Sequence, residues 1–383
     1  MIHTKFYNSK RSIFSVMSEL ADQYGAVDMT TGKSDFPCPQ KLIQLASEYL
    51  QKGYNYPAPV EGLLHLREVL ATKTENLYKY SYNPQTEVTI TAGHIQALTT
   101  AISSIISEGD EVIVFEPAFD TFVPAIILNG GRPVYVSMKK PDFRIDWDEV
   151  RKMITGKTRM IIINSPHNPT GAVLSVEDMT SLRKLTNGTN IVILSDEPHE
   201  HLIYDKLQHQ SIALYPELAA RGIIVSSPGP LYNINGWELA YCMAPANLML
   251  EFRKIHQFQV GSANAPLQYA LADYMEIDNQ YMDVTEVYQG KRNYFLRLLK
   301  DSGFQFTPSQ GSPYQVLDYS KLSNEPDTEF ATRLVRDYGV AAIPISVFVH
   351  DKYDNRQLSF CFSKSNETLE LAAERLCKVV SII

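Results

Sequence analysis

Between about residue 85 and 245 the chain alternates short apolar runs with stretches whose apolar positions recur at helical spacing. The runs are 87–91 (EVTIT), 111–115 (EVIVF), 159–164 (RMIIIN), 190–195 (NIVILS), 222–226 (GIIVS) and 239–243 (LAYCM). They are β-branched and apolar on both sides, which is the pattern of strands buried on two faces in a mostly parallel sheet. After Thr91 come Ala92 and Gly93 and then HIQALTTAISSII, a strand, a turn and a helix whose N-terminus is suited to an anion. From about residue 286 the texture changes: a helical stretch (YQGKRNYFLRLLKDSG) precedes short strand-like pieces (SPYQVLDYS, AAIPISVF, QLSFCFS) and a final helix near 366–381. That reads as an α+β unit. The segment to about residue 45 is proline-rich and irregular (TTGKSDFPCPQ), more an arm than a domain. The division expected is 1–45, an arm belonging with a small domain, 46–285, a large α/β domain, and 286–383, a small α+β domain.

Composition narrows the class. The chain has 383 residues, 44% hydrophobic and 20% charged, enough to bury a large core. Thirty-five basic residues against 43 acidic ones give a net charge of −8, with no basic stripe to meet nucleic acid. No apolar run approaches the roughly 20 residues of a membrane span, and the first residues lack a signal-peptide core. Cys38, Cys242, Cys361 and Cys377 form neither a metal pattern nor a disulfide framework, so a reducing cytoplasm is the expected compartment.

The unusual chemistry sits at the ends of the predicted strands: NSPHNPTG (164–171), SDEPHEH (195–201) and SSPGPLYNINGWE (226–238). Ligands in open α/β sheets collect at the carboxyl ends of strands, so these loops are expected to line one pocket. The strings Asn164–Gly171 and Ser195–Glu197, with TAGHIQAL, FEPAFDTFVPAI and VAAIPISVF, resemble the fold type I, pyridoxal-phosphate-dependent aminotransferases of class I/II. The likeness is to the methionine/aromatic and kynurenine–oxoglutarate branch and covers nearly the whole chain. It implies a mostly parallel seven-stranded sheet in a large domain, a smaller α+β domain, a homodimer, and pyridoxal phosphate as cofactor. By the same resemblance Gly93, His94, Ile95 and Ser227 are cofactor-binding positions, and Phe119 stacks on the cofactor ring. Asn168 meets its phenolic oxygen, Asp196 pairs with its pyridine nitrogen, and Gly32 lies near the substrate carboxylate. Trp237 matches an aromatic of the family's lysine loop. Plain structural readings stand beside these: Asn168 and Pro169 also shape a turn, and Phe119 also suits a core.

The departures are sharper than the matches. The loop that carries the family's Schiff-base lysine aligns without a gap, and the lysine position is Pro230, which has no amine. The basic residue facing the phosphate is Glu238. The tyrosine toward the phenolic oxygen is His199, and the arginine that clamps the substrate carboxylate is Ser359, with Arg356 nearby on the opposite side of the strand. The tyrosine that crosses the dimer falls on Pro57, with Tyr56 one step out. Lys33 offers a substitute amine or anion binder, although solvation is the commoner fate of a lysine. His94, His167 and His199 with Asp196 and Glu238 make a metal site conceivable, but the spacing fits no ligand motif. No covalent cofactor is expected. Two readings remain: a homologue with a degenerate site that binds or transforms some small molecule, and a working aminotransferase for methionine or aromatic amino acids and 2-oxo acids.

Overall fold

The computed structural model describes residues 11–31, 34–277 and 283–381. Its centre is a sheet of seven strands: β1 (Val88–Thr91), β2 (Glu111–Glu116), β3 (Arg132–Ser137), β4 (Thr158–Asn164), β5 (Val192–Asp196), β6 (Gly222–Ser226) and β7 (Ala240–Met243). The spatial order is β1-β7-β6-β5-β4-β2-β3, and β7 alone runs antiparallel to its neighbours. The strands are apolar on both faces for the reason the sequence suggested. Ile113, Ile161, Ile163 and Ile193 enter one hydrophobic layer, and Val112, Val114, Met160, Ile162 and Leu194 enter the other. Alternate side chains of a strand point to opposite faces, and both faces here are covered by helices.

Five of the six expected runs differ from the observed strands by one or two residues at an end, and 222–226 coincides with β6. One strand carried no such signal. β3 is an edge strand with only one of its six positions buried, and Pro133 near its start withholds a backbone donor. A half-buried edge lacks the continuous apolar run that marked the others.

The expectation of an irregular start needs correction. Residues Ile13–Tyr24 form a helix that buries Met17 and Ala21, and Gly25 closes it at φ 58°, donating its N–H to the carbonyls of Ala21 and Asp22. Val27 and Asp28 then pair in parallel with Val340 and Ala341, so the beginning and end of the chain share one core with Phe295, Phe330, Phe360 and Phe362. A second helix spans Gln40–Gln51. The late strand-like pieces form a three-stranded antiparallel sheet in the order Ile343–Pro344, Gln357–Cys361, Tyr314–Asp318. The last helix, Asn366–Cys377, is shorter than expected and starts where Ser365 accepts the Thr368 N–H.

Beneath the sheet's carboxyl edge lies a buried polar network that no sequence pattern announced. Lys73, from the Leu64–Tyr78 helix, holds Glu200 Oε1 at 2.5 Å, while the hydroxyls of Tyr78 (2.5 Å), Tyr241 (3.1 Å) and Ser226 (3.1 Å) donate to the same carboxylate. Burial alone would raise the Glu200 pKa. The Lys73 ammonium, with His201 and His209 behind it, outweighs burial and holds the carboxyl well below the usual carboxylate range. Removing one member of such a pair leaves a buried charge without its partner. Lys73→Met is therefore expected to cost about 3–5 kcal/mol in denaturant unfolding, with Glu200→Gln in the same chain recovering part of the loss. A cost below about 1 kcal/mol would show that the pair is not the tie between helix and sheet that its burial implies.

Candidate active site

The carboxyl ends of the parallel strands open into a cleft of about 670 Å³. Its wall includes His94, Ile95, Phe119, Asn168, Asp196, His199, Ser227, Pro230 and Glu238, so most residues singled out in the sequence do meet there. Each stands on a loop or helix start at the end of a strand: His94 after β1, Phe119 after β2, Asn168 after β4, Asp196 and His199 at the end of β5, Ser227 and Pro230 after β6. Gly32 and Lys33 lie outside the described residues. Tyr56 is 81% exposed and does not line the cleft of its own chain. Ser359 is buried and outside the cleft wall, its hydroxyl donating to the Pro169 carbonyl at 3.2 Å, so it serves the loop behind the site.

Asp196 is the polar centre. It is 2% exposed, and both carboxylate oxygens are engaged. His94 Nε2–H donates to Oδ1 at 2.6 Å, and Asn164 Nδ2–H donates to Oδ2 at 3.1 Å and to the Asp196 carbonyl at 3.0 Å. Asn164 also accepts the Asn168 N–H at 2.7 Å, which fixes the turn that presents Asn168. The His94 ring lies 6.3 Å from that of Phe119, inclined by 28°. Asn164 sits inside the NSPHNPTG string, yet nothing in one dimension distinguishes it as the group that fixes Asp196. Tyr288 and Tyr314 complete the wall from the far part of the chain and were likewise not singled out. Their signal is only their place in space.

The histidines differ. His199 is buried, stands edge-on to Tyr314, and has no hydrogen-bond partner for Nδ1 among the described residues. Burial, and then the neighbouring His94, lower its pKa to about 3 against the pull of the Pro166 carbonyl. His167 is buried with Nδ1 2.8 Å from the Thr170 hydroxyl, and burial lowers its pKa to about 4. Both are neutral imidazoles at physiological pH. Among the described residues no group of three or more His, Cys, Asp or Glu is arranged to hold a metal ion.

Pro230 occupies the first turn of a short helix, Gly229–Tyr232, directly after Pro228. Proline suits that position because its missing N–H would have no helical partner there. Glu238 adopts a left-handed backbone (φ 49°) and turns its carboxylate over Gly93, at the start of the His94–Ile105 helix. A Cβ on Gly93 would run into Glu238 Oε2, and Gly93 itself sits at φ 92°. Glycine is required there on both counts. The helix N-terminus is the positive end of a dipole and attracts an anion, and here the chain brings its own. Among the described residues lining the cleft there is no lysine and no arginine.

These residues do not fit a phosphorylated pyridine aldehyde held as an imine. Among the described residues the wall offers no amine to a carbonyl, no cation to a phosphate, and an Asp196 already bonded on both oxygens. What the cleft does offer is a carboxylate at its mouth, a His–Asp pair, amides, and aromatic faces.

Comparison with known proteins gives one consistent answer. The profile described as "Aminotransferase class I and II" matches residues 25–376. A methionine aminotransferase of Escherichia coli is 38% identical over 366 residues, 95% of each chain. Human kynurenine–oxoglutarate transaminase 1 is 28% identical over 395 residues, 94% of each chain. Among solved structures, the E. coli methionine aminotransferase superposes with a TM-score of 0.96 at 37% identity over 99% of each chain. The N-succinyldiaminopimelate aminotransferase of Mycobacterium tuberculosis gives 0.95 at 31% identity, covering 99% of this chain and all of that one.

The buried histidines make the stability depend on pH. His167 and His199 remain neutral in the fold down to about pH 4 and 3, whereas the unfolded chain takes up these protons near pH 6.5. Below pH 6.5 the unfolded state binds more protons, so stability falls as pH falls, until each native imidazole itself titrates. Each group is expected to remove about 2 kcal/mol between pH 7 and 5. Urea unfolding of His199→Asn should show a shallower loss over that interval than the unaltered protein. Parallel curves would mean that His199 is not held neutral.

Proposed function

The chain belongs to the class I and II aminotransferase family, and we propose that it uses the family's cleft to bind a small molecule non-covalently rather than to transaminate through a lysine-bound cofactor. The observation that carries this reading is the cleft wall itself: Pro230 stands in the loop where the resemblance calls for lysine, and no described residue of the lining supplies an amine in its place. Glu238 compounds the loss, because a carboxylate at the helix start repels a phosphate directed to the same position. Pyridoxal phosphate, the cofactor implied by the family, is then absent as a covalent group.

A second reading, a working aminotransferase for methionine or aromatic amino acids and 2-oxo acids, is favoured by overall similarity. The 38% identity to a methionine aminotransferase extends over 95% of both chains and supports it directly. It conflicts with the chemistry of one loop, and identity summed over a chain weights a core leucine and a catalytic lysine equally.

We read the assembly as a homodimer, as the resemblance implies. Tyr56, Ile95 and Phe258 are 81%, 58% and 87% exposed. The elements that carry them are tied together: Gln96 contacts His256 Nδ1 at 3.1 Å, and His256 Nε2–H donates to the Val60 carbonyl at 2.9 Å. Ile95 also lines the cleft, so a partner covering this ridge would help to close it. The division near residues 45 and 285 and a cytoplasmic location belong to the same reading. No helix among the described residues is long and apolar enough to cross a membrane.

Borohydride reduction after incubation with pyridoxal phosphate, followed by peptide mass spectrometry, separates the two functions. The expected result is no phosphopyridoxyl lysine and no cofactor-dependent transfer from methionine or phenylalanine to 2-oxo acids. Pro230→Lys alone is expected to leave transamination undetectable, since Glu238 still faces the phosphate position. A stoichiometric adduct in the unaltered chain, at Lys33 or any other lysine, together with turnover, establishes the second reading.

A further inference from the structure

The missing amine explains why a cofactor would not be bound covalently. It does not explain why the cleft could not hold the same molecule loosely, since Asp196, Asn168 and Phe119 are all in place. The structure points to a separate answer. We infer that His94 is a built-in replacement for the cofactor ring: its imidazole is the resident partner of Asp196, and with Glu238 at the helix start it excludes phosphorylated pyridines from the cleft.

The geometry supplies each part. Among the described residues Asp196 Oδ1 has one close donor, His94 Nε2, and Oδ2 is taken by Asn164. A carboxylate accepts and cannot donate, so a pyridinium N–H reaching Oδ1 must displace the imidazole N–H already there. The two donors are alike: flat aromatic nitrogen rings of similar thickness, each able to carry the positive charge that complements Asp196. The His94 ring is also inclined by only 28° to Phe119, the aromatic face at that end of the cleft. Its side chain is 20% exposed against 2% for Asp196, so the imidazole stands between the carboxylate and the open cleft.

The anion end is filled in the same sense. The Glu238 carboxylate lies over Gly93, the residue from which the His94–Ile105 helix starts. Glu238 thus rests on the residue immediately before His94, which puts the imidazole at the ring position and the carboxylate at the phosphate position. His199, elsewhere in the wall, is a neutral ring and supplies no compensating charge. The specificity consequence is definite: molecules with a phosphate are rejected twice, and those without one are rejected by His94 alone.

The test uses non-covalent binding of pyridoxal phosphate and of unphosphorylated pyridoxal, followed by calorimetry, with free imidazole as a third probe. The unaltered protein should bind neither pyridine measurably. His94→Ala should gain at least about tenfold in affinity for pyridoxal, the scale of one charge-assisted hydrogen bond. Its gain for pyridoxal phosphate should be smaller until Glu238→Gln is added. Free imidazole should raise the melting temperature of His94→Ala and leave the unaltered protein unmoved, because only the variant has the vacancy beside Asp196. If His94→Ala does not fold, Glu238→Gln decides: it should still refuse both pyridines, since His94 remains. Binding of either pyridine by Glu238→Gln as tightly as by a family cofactor site would overturn the role of His94. So would micromolar non-covalent binding by the unaltered protein, or imidazole acting equally on both proteins. A borohydride-reducible lysine adduct in the unaltered chain defeats the functional reading above instead, so the two failures are distinguishable.

Discussion

Asp196 is a carboxylate buried at the end of a strand in the middle of the sheet, and such a group must be given donors. An isolated buried carboxylate costs several kcal/mol, enough to erase much of a domain's net stability. The chain answers from two directions. Asn164, its register partner on the neighbouring strand, donates to Oδ2, and His94, from the helix that follows the edge strand, donates to Oδ1. The cleft is the space left around that arrangement. Asn168 is placed by its bond to Asn164, Phe119 flanks the His94 ring, and Glu238 rests on the glycine just before His94.

The sheet makes this convergence possible. Six of its seven strands run the same way, so their carboxyl ends deliver successive loops to one edge. Helices that begin there aim their positive ends at the same space. In such a field one anion is stabilised and a second is repelled, with a strength that grows as water is excluded. The chain fills the single favourable position with Glu238. Electrostatically the cleft is therefore already balanced at its helix end, while its remaining wall is aromatic and amide.

Much of the fold was legible because the physics is local. Two-faced apolar runs marked six strands, and long strings carried the family resemblance. β3 escaped because that edge strand, unlike the buried edge β1, is largely open to solvent, and the Ile13–Tyr24 helix escaped because the segment was read through its prolines further on. At the site the sequence displayed Pro230 and Glu238 where the resemblance calls for a lysine and a cation, since residue identity needs no coordinates. It did not display the pairings. Residues 94 and 196, or 73 and 200, are joined only by the fold, and each pair is visible beforehand as two unremarkable side chains. Ser359 shows the converse error: its register suggested a pocket position, and its hydroxyl instead holds the Pro169 carbonyl behind the wall.

This division bears on how the retained residues should be weighed. Asp196, Asn164 and Asn168 look like the remains of a cofactor site, and their presence invites the conclusion that the cofactor still binds. Asp196 and Asn164, however, have a structural duty in the ligand-free chain: the Asn164 amide satisfies the carboxylate and accepts the backbone N–H of Asn168. Removing either would leave a buried polar group unpaired, a cost borne by the fold whether or not a ligand is present. A lysine or a phosphate-side cation at the positions the resemblance gives them would have no such duty, because a group that serves only the ligand can be absent without penalty to the core. Retention of Asp196 therefore says little about activity, whereas Pro230 and Glu238 stand at positions that the resemblance assigns to groups serving only a ligand. The discriminating positions in this cleft are those that the fold does not need.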